Sequence, residues 1–329
     1  MARADLLLVS LGSTAGLRAA DAELHGSLLR AGARAVMVTA RPQRDVRTMA
    51  LTDLVWARAA GAATRAGLAA HRPRAVLYST TTAALPWLAP GAIRFDAPAA
   101  ANRPGRHGIW QRPLERRRLR QAPLLVPWAE GSLAQTPARH APAVVVPIPV
   151  EPSVERGAAG AAPRDIAAVT YAANPHKKGL DRVLEAWAAA RRDGEELVVA
   201  GTARVPPAPG VRNAGRLAPA AYRALLRRAR VFVTAPRRED YGIAQLEALA
   251  DGCALVTSAA PGPYAALPLA RALDPRLVTG PDGLAGALRA ALDDPVAGYA
   301  ERALAALAPF RRNAVDRTVA EELLPRLLG

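Results

Sequence analysis

A single cysteine, Cys253, stands in the whole sequence of 329 residues. An internal disulfide is excluded, and no cysteine cluster is present to hold zinc or an iron–sulfur centre, which agrees with a reducing compartment. Lysine is nearly as scarce: of 44 basic residues only two are lysine, and they are adjacent, Lys177 and Lys178. No uncharged apolar run reaches the ~18 residues that mark a membrane-spanning helix. The chain starts Met1, Ala2, Arg3 and enters a strand-like stretch, Leu6 to Leu11, too short and too poorly flanked for a secretory signal. A globular, cytoplasmic protein is expected.

The length exceeds what one hydrophobic core usually organises, so two domains are expected. The net charge of +16 points toward a polyanionic partner. Against that, Arg and Ala recur in helices, loops and tails alike, as a global bias and not as one designed patch, which argues against nucleic acid. On such a background the two lysines stand out. An ammonium is a compact point charge that fits beside a phosphate where a broad guanidinium fork does not; chance placement on a solvated loop is the competing account.

In the N-terminal half strand and helix alternate. Leu6 to Leu11 reads as a buried strand, Ala19 to Ala31 as a helix ended by Gly32, and Ala33 to Thr39 as a second strand. A helix near Leu51 to Ala69 follows, then strands at Ala75 to Tyr78, Leu124 to Val126 and Val144 to Ile148. The Pro- and Gly-rich stretch from Pro149 to Arg164 has no periodicity and reads as a linker, with the boundary near Pro152. The alternation then restarts: strand Ile166 to Tyr171, helix Leu180 to Arg192, strand Leu197 to Ala200, helix Pro219 to Arg228, strand Val231 to Thr234, helix Ile243 to Asp251 and strand Ala254 to Ser258. This predicts an α/β protein of two Rossmann-like domains, each with a parallel sheet, facing across a cleft: residues 1–152 and 153–310. Neither first turn carries a Gly-x-Gly-x-x-Gly fingerprint. A final helix, Val315 to Leu328, is expected to pack back on the structure, with residues 311–329 assigned to the N-terminal domain.

The most informative segment is Val231 to Ser258, VFVTAPRREDYGIAQLEALADGCALVTS. A strand ends at Ala235, a loop carries Glu239, and Gly242 gives a tight path into a helix. The first helical turn, Ile243, Ala244 and Gln245, has no acidic side chain. A helix start with free N–H groups and no competing carboxylate is an anion site, and a phosphate suits it. Glu247 lies one turn on, where its carboxylate can accept hydrogen bonds from a pair of hydroxyls such as those of a ribose; an exposed helix Glu is the alternative from spacing alone.

Glu239, seven intervening residues and Glu247, in the setting EDYGIAQLEALADGCALVTS, resemble the pattern of the family 4 retaining glycosyltransferases. HKKGLDRVLEAWAAA is similar to that family's Lys-Gly-hydrophobic-Asp helix start, LVVAGTA to its strand end near the nucleotide base, and PLLVPWAEGSLAQ and VVVPIPVEP to its weaker N-terminal segments. The resemblance implies a GT-B architecture, a nucleotide-sugar donor held by the C-terminal domain, and no metal or other cofactor. It implies that Lys178 neutralises the diphosphate, Glu239 binds donor-sugar hydroxyls, Glu247 holds the ribose, and Gly242, Ile243 and Ala244 offer backbone N–H groups. Two departures accompany it. The family's arginine five residues before the lysine is replaced by Ala173, with Arg216, Arg237 or Arg238 as possible substitutes. The adjacent glycines after the first strand are reduced to Gly12 and Gly16, of which Gly16 is kept as a point of close backbone approach to phosphate.

Residues 94–120 hold eight arginines against Asp96 and Glu115. They suit a phosphorylated or lipid-linked acceptor, or peripheral contact with an anionic membrane face; a solvated helix face is the alternative. Within them His107, as a neutral imidazole, can take or fix the acceptor hydroxyl proton, with Trp110 able to stack on a sugar ring. His25, His71 and His140 read as structural, His176 as orienting the Lys177 loop, and Cys253 as packing. The function expected is transfer of a hexose-type sugar from a nucleotide donor to an acceptor hydroxyl with retention. A noncatalytic GT-B protein that binds a sugar nucleotide or an anionic partner is the alternative, and a nucleotide-sugar epimerase ranks third.

Overall fold

The computed structural model describes residues 3–44, 46–136, 141–154 and 163–329. His140 and half of the linker expected at Pro149 to Arg164, residues 155–162, lie outside them. The chain divides into two compact units, Met1–Pro149 with Arg312–Gly329, and Val150–Arg311.

The first unit is built on five parallel strands, β1 (Leu6–Ser10), β2 (Ala35–Thr39), β3 (Ala75–Tyr78), β4 (Ala92–Phe95) and β5 (Leu125–Pro127), in the order β2-β1-β3-β4-β5. The unbroken apolar run of β1 follows from burial on both faces. Leu6 and Leu8 point into one core with Leu24, Leu28 and Leu77, while Leu7 and Val9 point into the other with Trp56, Ala60 and Ile93. A parallel sheet covered on both sides needs such strands. The first helix begins at Ala15, before the expected Ala19, because the Thr14 hydroxyl caps it by accepting from Leu17 N–H at 3.1 Å.

Val144 to Ile148 does not form the strand expected of it. The segment runs beside β5, with Val144 N–H donating to Leu125 and Val146 N–H to Pro127, but Pro147 and Pro149 have no N–H with which to continue a ladder. The final helix is also not one piece. It runs from Arg312 to Thr318, widens into a π-turn over Val319–Leu323, and resumes at Leu324–Leu328. Pro325 cannot donate to the carbonyl one turn back, and a wider turn just before it accommodates that loss. Val315, Val319 and Leu323 enter the same core as Leu6 and Leu8.

The second unit holds six parallel strands, β6 (Ile166–Tyr171), β7 (Leu197–Ala200), β8 (Val211–Gly215), β9 (Ala229–Thr234), β10 (Ala254–Ser258) and β11 (Val278–Thr279), in the order β11-β10-β9-β6-β7-β8. The central strands β6 and β9 pair directly, Ala168 with Val231 and Val169 with Phe232, so the loops that follow them open side by side at one end of the sheet. In open sheets of this kind ligands gather at that carboxyl end.

Candidate functional site

Two loops meet at the carboxyl end of β6 and β9. After β6 the chain makes a short helix, Pro175–Lys178, capped by Asn174, whose Oδ1 accepts from Lys177 N–H at 3.0 Å. Gly179 then turns the chain with φ +64° into the helix Leu180–Ala190. Only glycine fits there, because a Cβ would sit 1.9 Å from the Ala235 carbonyl oxygen. After β9 the loop is tied to the first by Arg237 N–H donating to the Lys177 carbonyl at 2.9 Å. A second close approach fixes its far side. Glu239 N–H donates to the Pro261 carbonyl at 3.0 Å, and a Cβ on Gly262, at φ +121°, would meet the Glu239 carbonyl oxygen at 2.1 Å.

Glu239 is 4 % exposed. Its Oε2 accepts from Lys178 Nζ at 2.6 Å and from Gln245 Nε2 at 2.9 Å. The structure therefore brings Lys178 and Glu239 into an ion pair. Lys177 pairs with Asp240 at 2.5 Å, and Arg238 reaches the other oxygen of Asp240 at 2.7 Å. Burial works to raise Asp240, yet Lys177 and Arg238 together hold it below the usual range. Gly242, at φ +92°, precedes the helix Ile243–Ala250, which has no acidic residue in its first turn, and Ile243 and Ala244 are half-buried there. Leu246 and Leu249 are fully buried, which leaves Glu247 on a different face, half-buried.

Glu247 lies 3.7 Å from Arg223, which also donates to Asp251 at 2.6 Å. Burial pushes Glu247 above the usual carboxylate range; Arg223 opposes the shift and Asp251 adds to it. Tyr171 at the end of β6 and Tyr222 pack ring to ring at 5.3 Å, and the charge of Glu247 acts on both. A carboxylate beside a half-exposed aromatic can accept from paired hydroxyls while a planar ring lies alongside.

Of the arginines offered for the position taken by Ala173, Arg237 is committed to Asp181 and holds it down to about 2, and Arg238 is committed to Asp240. Arg216 follows β8 and is exposed, with no carboxylate partner among the described residues. Gly16 lies exposed in the first turn of the helix Ala15–Arg30, and His107 lies exposed in a short 3₁₀ turn, Gly105–Gly108; both belong to the first unit. Trp110 is half-buried, its indole N–H donating to Ala50 at 3.1 Å. Sequence reasoning missed Gln245, Arg223 and Tyr264. The one available signal was a polar residue, Gln245, inside an otherwise apolar helix start.

In the first unit six of the eight arginines of residues 94–120 separate into two kinds. Arg94 is buried against Asp21 at 3.3 Å and lies over the Trp128 ring, and Arg103 pairs with Asp53 at 2.8 Å. Arg112, Arg116, Arg117 and Arg120, from the helix Gln111–Gln121, instead line a hollow of about 790 Å³. The one acid of that helix, Glu115, is turned inward, where burial raises it to about 7 and Oε1 accepts from Ala99 N–H at 2.7 Å.

Among the described residues no cluster of His, Cys, Asp or Glu could hold a metal ion, and no helix is long and apolar enough to cross a membrane. No curated protein matches the sequence. Solved structures do match. A sucrose-phosphate synthase from Thermosynechococcus elongatus superposes with a TM-score of 0.74 at 15 % identity, covering 97 % of this chain and 98 % of that one. WaaG, a glycosyltransferase involved in lipopolysaccharide biosynthesis, gives 0.69 at 15 %, with 98 % and 99 % covered. This is the GT-B fold. Anabaena HepE, in complex with UDP and glucose, gives 0.68 at 15 %, again with 98 % and 99 % covered. Residues 163–294 match the family Glycosyl transferases group 1, and that segment of the GT-B chain contains Lys178, Glu239 and Glu247. Fold and family match together support a GT-B glycosyltransferase.

Proposed function

We propose that the protein is a retaining glycosyltransferase that moves a hexose-type sugar from a nucleotide donor to an acceptor hydroxyl, with the donor held by the second unit. The observation that carries this reading is the meeting of Lys178 with Glu239, beside the uncapped, acid-free start of the helix that bears Glu247. Lys178, Arg216 and the N–H groups at Gly242, Ile243 and Ala244 face the diphosphate, Glu239 faces the sugar hydroxyls, and Glu247 faces the ribose. Breaking the bond from the anomeric carbon to the diphosphate leaves negative charge on the departing oxygen. Fixed cations and N–H dipoles stabilise that charge without reorganising. The acceptor oxygen bonds to the same face of the carbon and its proton passes to the departing phosphate oxygen, so no protein nucleophile and no metal are called for.

HepE's complex with UDP and glucose, and that of the pneumococcal O-GlcNAc transferase GtfA with UDP and GlcNAc, favour a UDP-sugar as the first donor to try. Calorimetry with UDP-, GDP- and ADP-sugars, followed by assay of released nucleotide, tests the reading. Binding with turnover supports it, binding without turnover identifies a noncatalytic sugar-nucleotide protein, and no binding removes both.

For the acceptor the reading is an anionic molecule, phosphorylated or lipid-linked, at the first unit, with His107 near the reacting hydroxyl and peripheral contact with the inner membrane face as its setting. The hollow lined by Arg112, Arg116, Arg117 and Arg120 favours it, since like charges three and four residues apart repel until an anion joins them. Arg116→Gln, Arg117→Gln and Arg120→Gln together should weaken and flatten the salt dependence of binding to glucose 6-phosphate or to vesicles containing phosphatidylglycerol. The two probes separate a dissolved phosphate from a lipid surface, and no change with either removes this part of the reading.

A further inference from the structure

Gln245 is the third residue of the helix Ile243–Ala250, and it is 1 % exposed. At that position glutamine often turns back to cap its own helix. Here Nε2 donates to Glu239 Oε2 at 2.9 Å instead, and the other side of the amide lies against the Tyr264 hydroxyl. A leucine would fill the same space but leave Glu239 Oε2 with Lys178 as its remaining side-chain donor, so the amide N–H is what supplies the second one. Tyr264 closes the other side: its ring lies against Gly242, its hydroxyl is 2.6 Å from Thr257 Oγ1, and its own φ is +27°, in the region that favours glycine.

Two donors thus converge on one oxygen of Glu239, one a charged ammonium at the end of a long alkyl stem, the other neutral and anchored in a helix. When a donor diphosphate arrives, the Lys178 ammonium is drawn toward it and away from Glu239. A carboxylate as buried as Glu239 cannot turn to bulk water for a replacement. We propose that Gln245 is a positioning residue: its amide holds Glu239 Oε2 while Lys178 turns to the diphosphate, which keeps the other oxygen of Glu239 aimed at the sugar hydroxyls. This rests on the glycosyltransferase reading above and assigns a role to a side chain that touches neither donor nor acceptor.

The test uses the full chain, with UDP-glucose and UDP as probes, or the GDP or ADP pair if the wild type hydrolyses that glucose donor faster. Gln245→Leu should lower kcat for donor hydrolysis by about 10²-fold, the scale of a misplaced reacting geometry, while UDP affinity is unchanged. The preference of the protein for UDP-glucose over UDP should shrink in Gln245→Leu, and should not shrink further when Glu239→Gln is already present. Gln245→Glu supplies a signature that a purely structural role lacks. It sets a second carboxyl against Glu239, with Lys178 and Tyr264 the other ionisable groups facing the pair. Activity lost near neutral pH should return as the pH falls, because one shared proton then replaces the amide N–H. Should Gln245→Leu fail to fold, the near-isosteric Gln245→Glu still reports through its pH profile. Wild-type kcat in Gln245→Leu, or an equal loss of UDP and UDP-glucose affinity, overturns the proposal and leaves the glycosyltransferase reading standing. A wild type that hydrolyses none of the three donors overturns both.

Discussion

Lys178 Nζ lies 2.6 Å from Glu239 Oε2, joining a four-residue helix after β6 to the loop after β9 across 61 residues of sequence. Lys178→Ala leaves a buried carboxylate with Gln245 as its remaining side-chain donor. A loss of about 1–3 kcal/mol in unfolding free energy is expected. Turnover of the nucleotide sugar should fall by about 10²-fold or more, because the cation facing the departing diphosphate is gone. Glu239→Ala should cost turnover similarly and stability less, since the freed ammonium is the more exposed partner. Urea denaturation and released-nucleotide assays check both, and unchanged turnover in either variant would rule out the site.

Backbone crowding makes a second expectation. Gly262→Ala places a Cβ 2.1 Å from the Glu239 carbonyl oxygen at a φ of +121°, so the loop that presents Glu239 must shift. A destabilisation of about 1–3 kcal/mol is expected, together with loss of donor binding. Gly286→Ala is the control. Nothing lies near its Cβ in the helix Leu284–Asp293, and it should stabilise by about 0.5–1 kcal/mol with donor binding intact. Thermal melts with and without UDP distinguish the two.

Glu115 makes stability depend on pH. Burial raises it from 4.5 to about 7, so between those values the folded protein binds more protons than the unfolded chain. Its contribution is therefore fully present below about pH 4.5 and is lost as the pH rises through 7, by up to about 3 kcal/mol. Glu115→Gln should remove that slope and leave the variant more stable than the parent at pH 8. Urea midpoints between pH 5 and pH 8 measure it.

Cys253 is fully buried, and burial pushes its thiol up to about 12. Labelling by N-ethylmaleimide should be negligible in the folded protein and fast in denaturant, so the labelling rate reports opening of the second unit. Rapid labelling under native conditions would contradict the burial.

The strands most legible in the sequence were those with a short core of consecutive apolar residues near a Gly or Pro, such as β6, β7 and β10. β8 escaped because Arg212 and Asn213 are exposed on a sheet edge, so VRNAG shows no apolar pattern. β4 escaped because Arg94 sits fully buried within it; what makes that tolerable is Asp21, 73 residues away and invisible to a local pattern. The candidate site divides in the same way. Glu239 and Glu247 carry a fixed spacing on one loop and helix, which sequence preserves. The pairing of Lys178 with Glu239 and the turn of Gln245 toward it depend on the register between β6 and β9, which no local spacing encodes.

The return of residues 312–329 to the first unit separates the order of synthesis from the order of completion. When the ribosome has made the first 149 residues, the face of the sheet bearing Leu6 and Leu8 still lacks Val315, Val319 and Leu323. The second unit, an uninterrupted insert, can close first, and the earlier-made half then waits on the later one. A nonsense codon near position 312 would therefore spare the segment that carries Lys178, Glu239 and Glu247 and expose the apolar face of the half made before it.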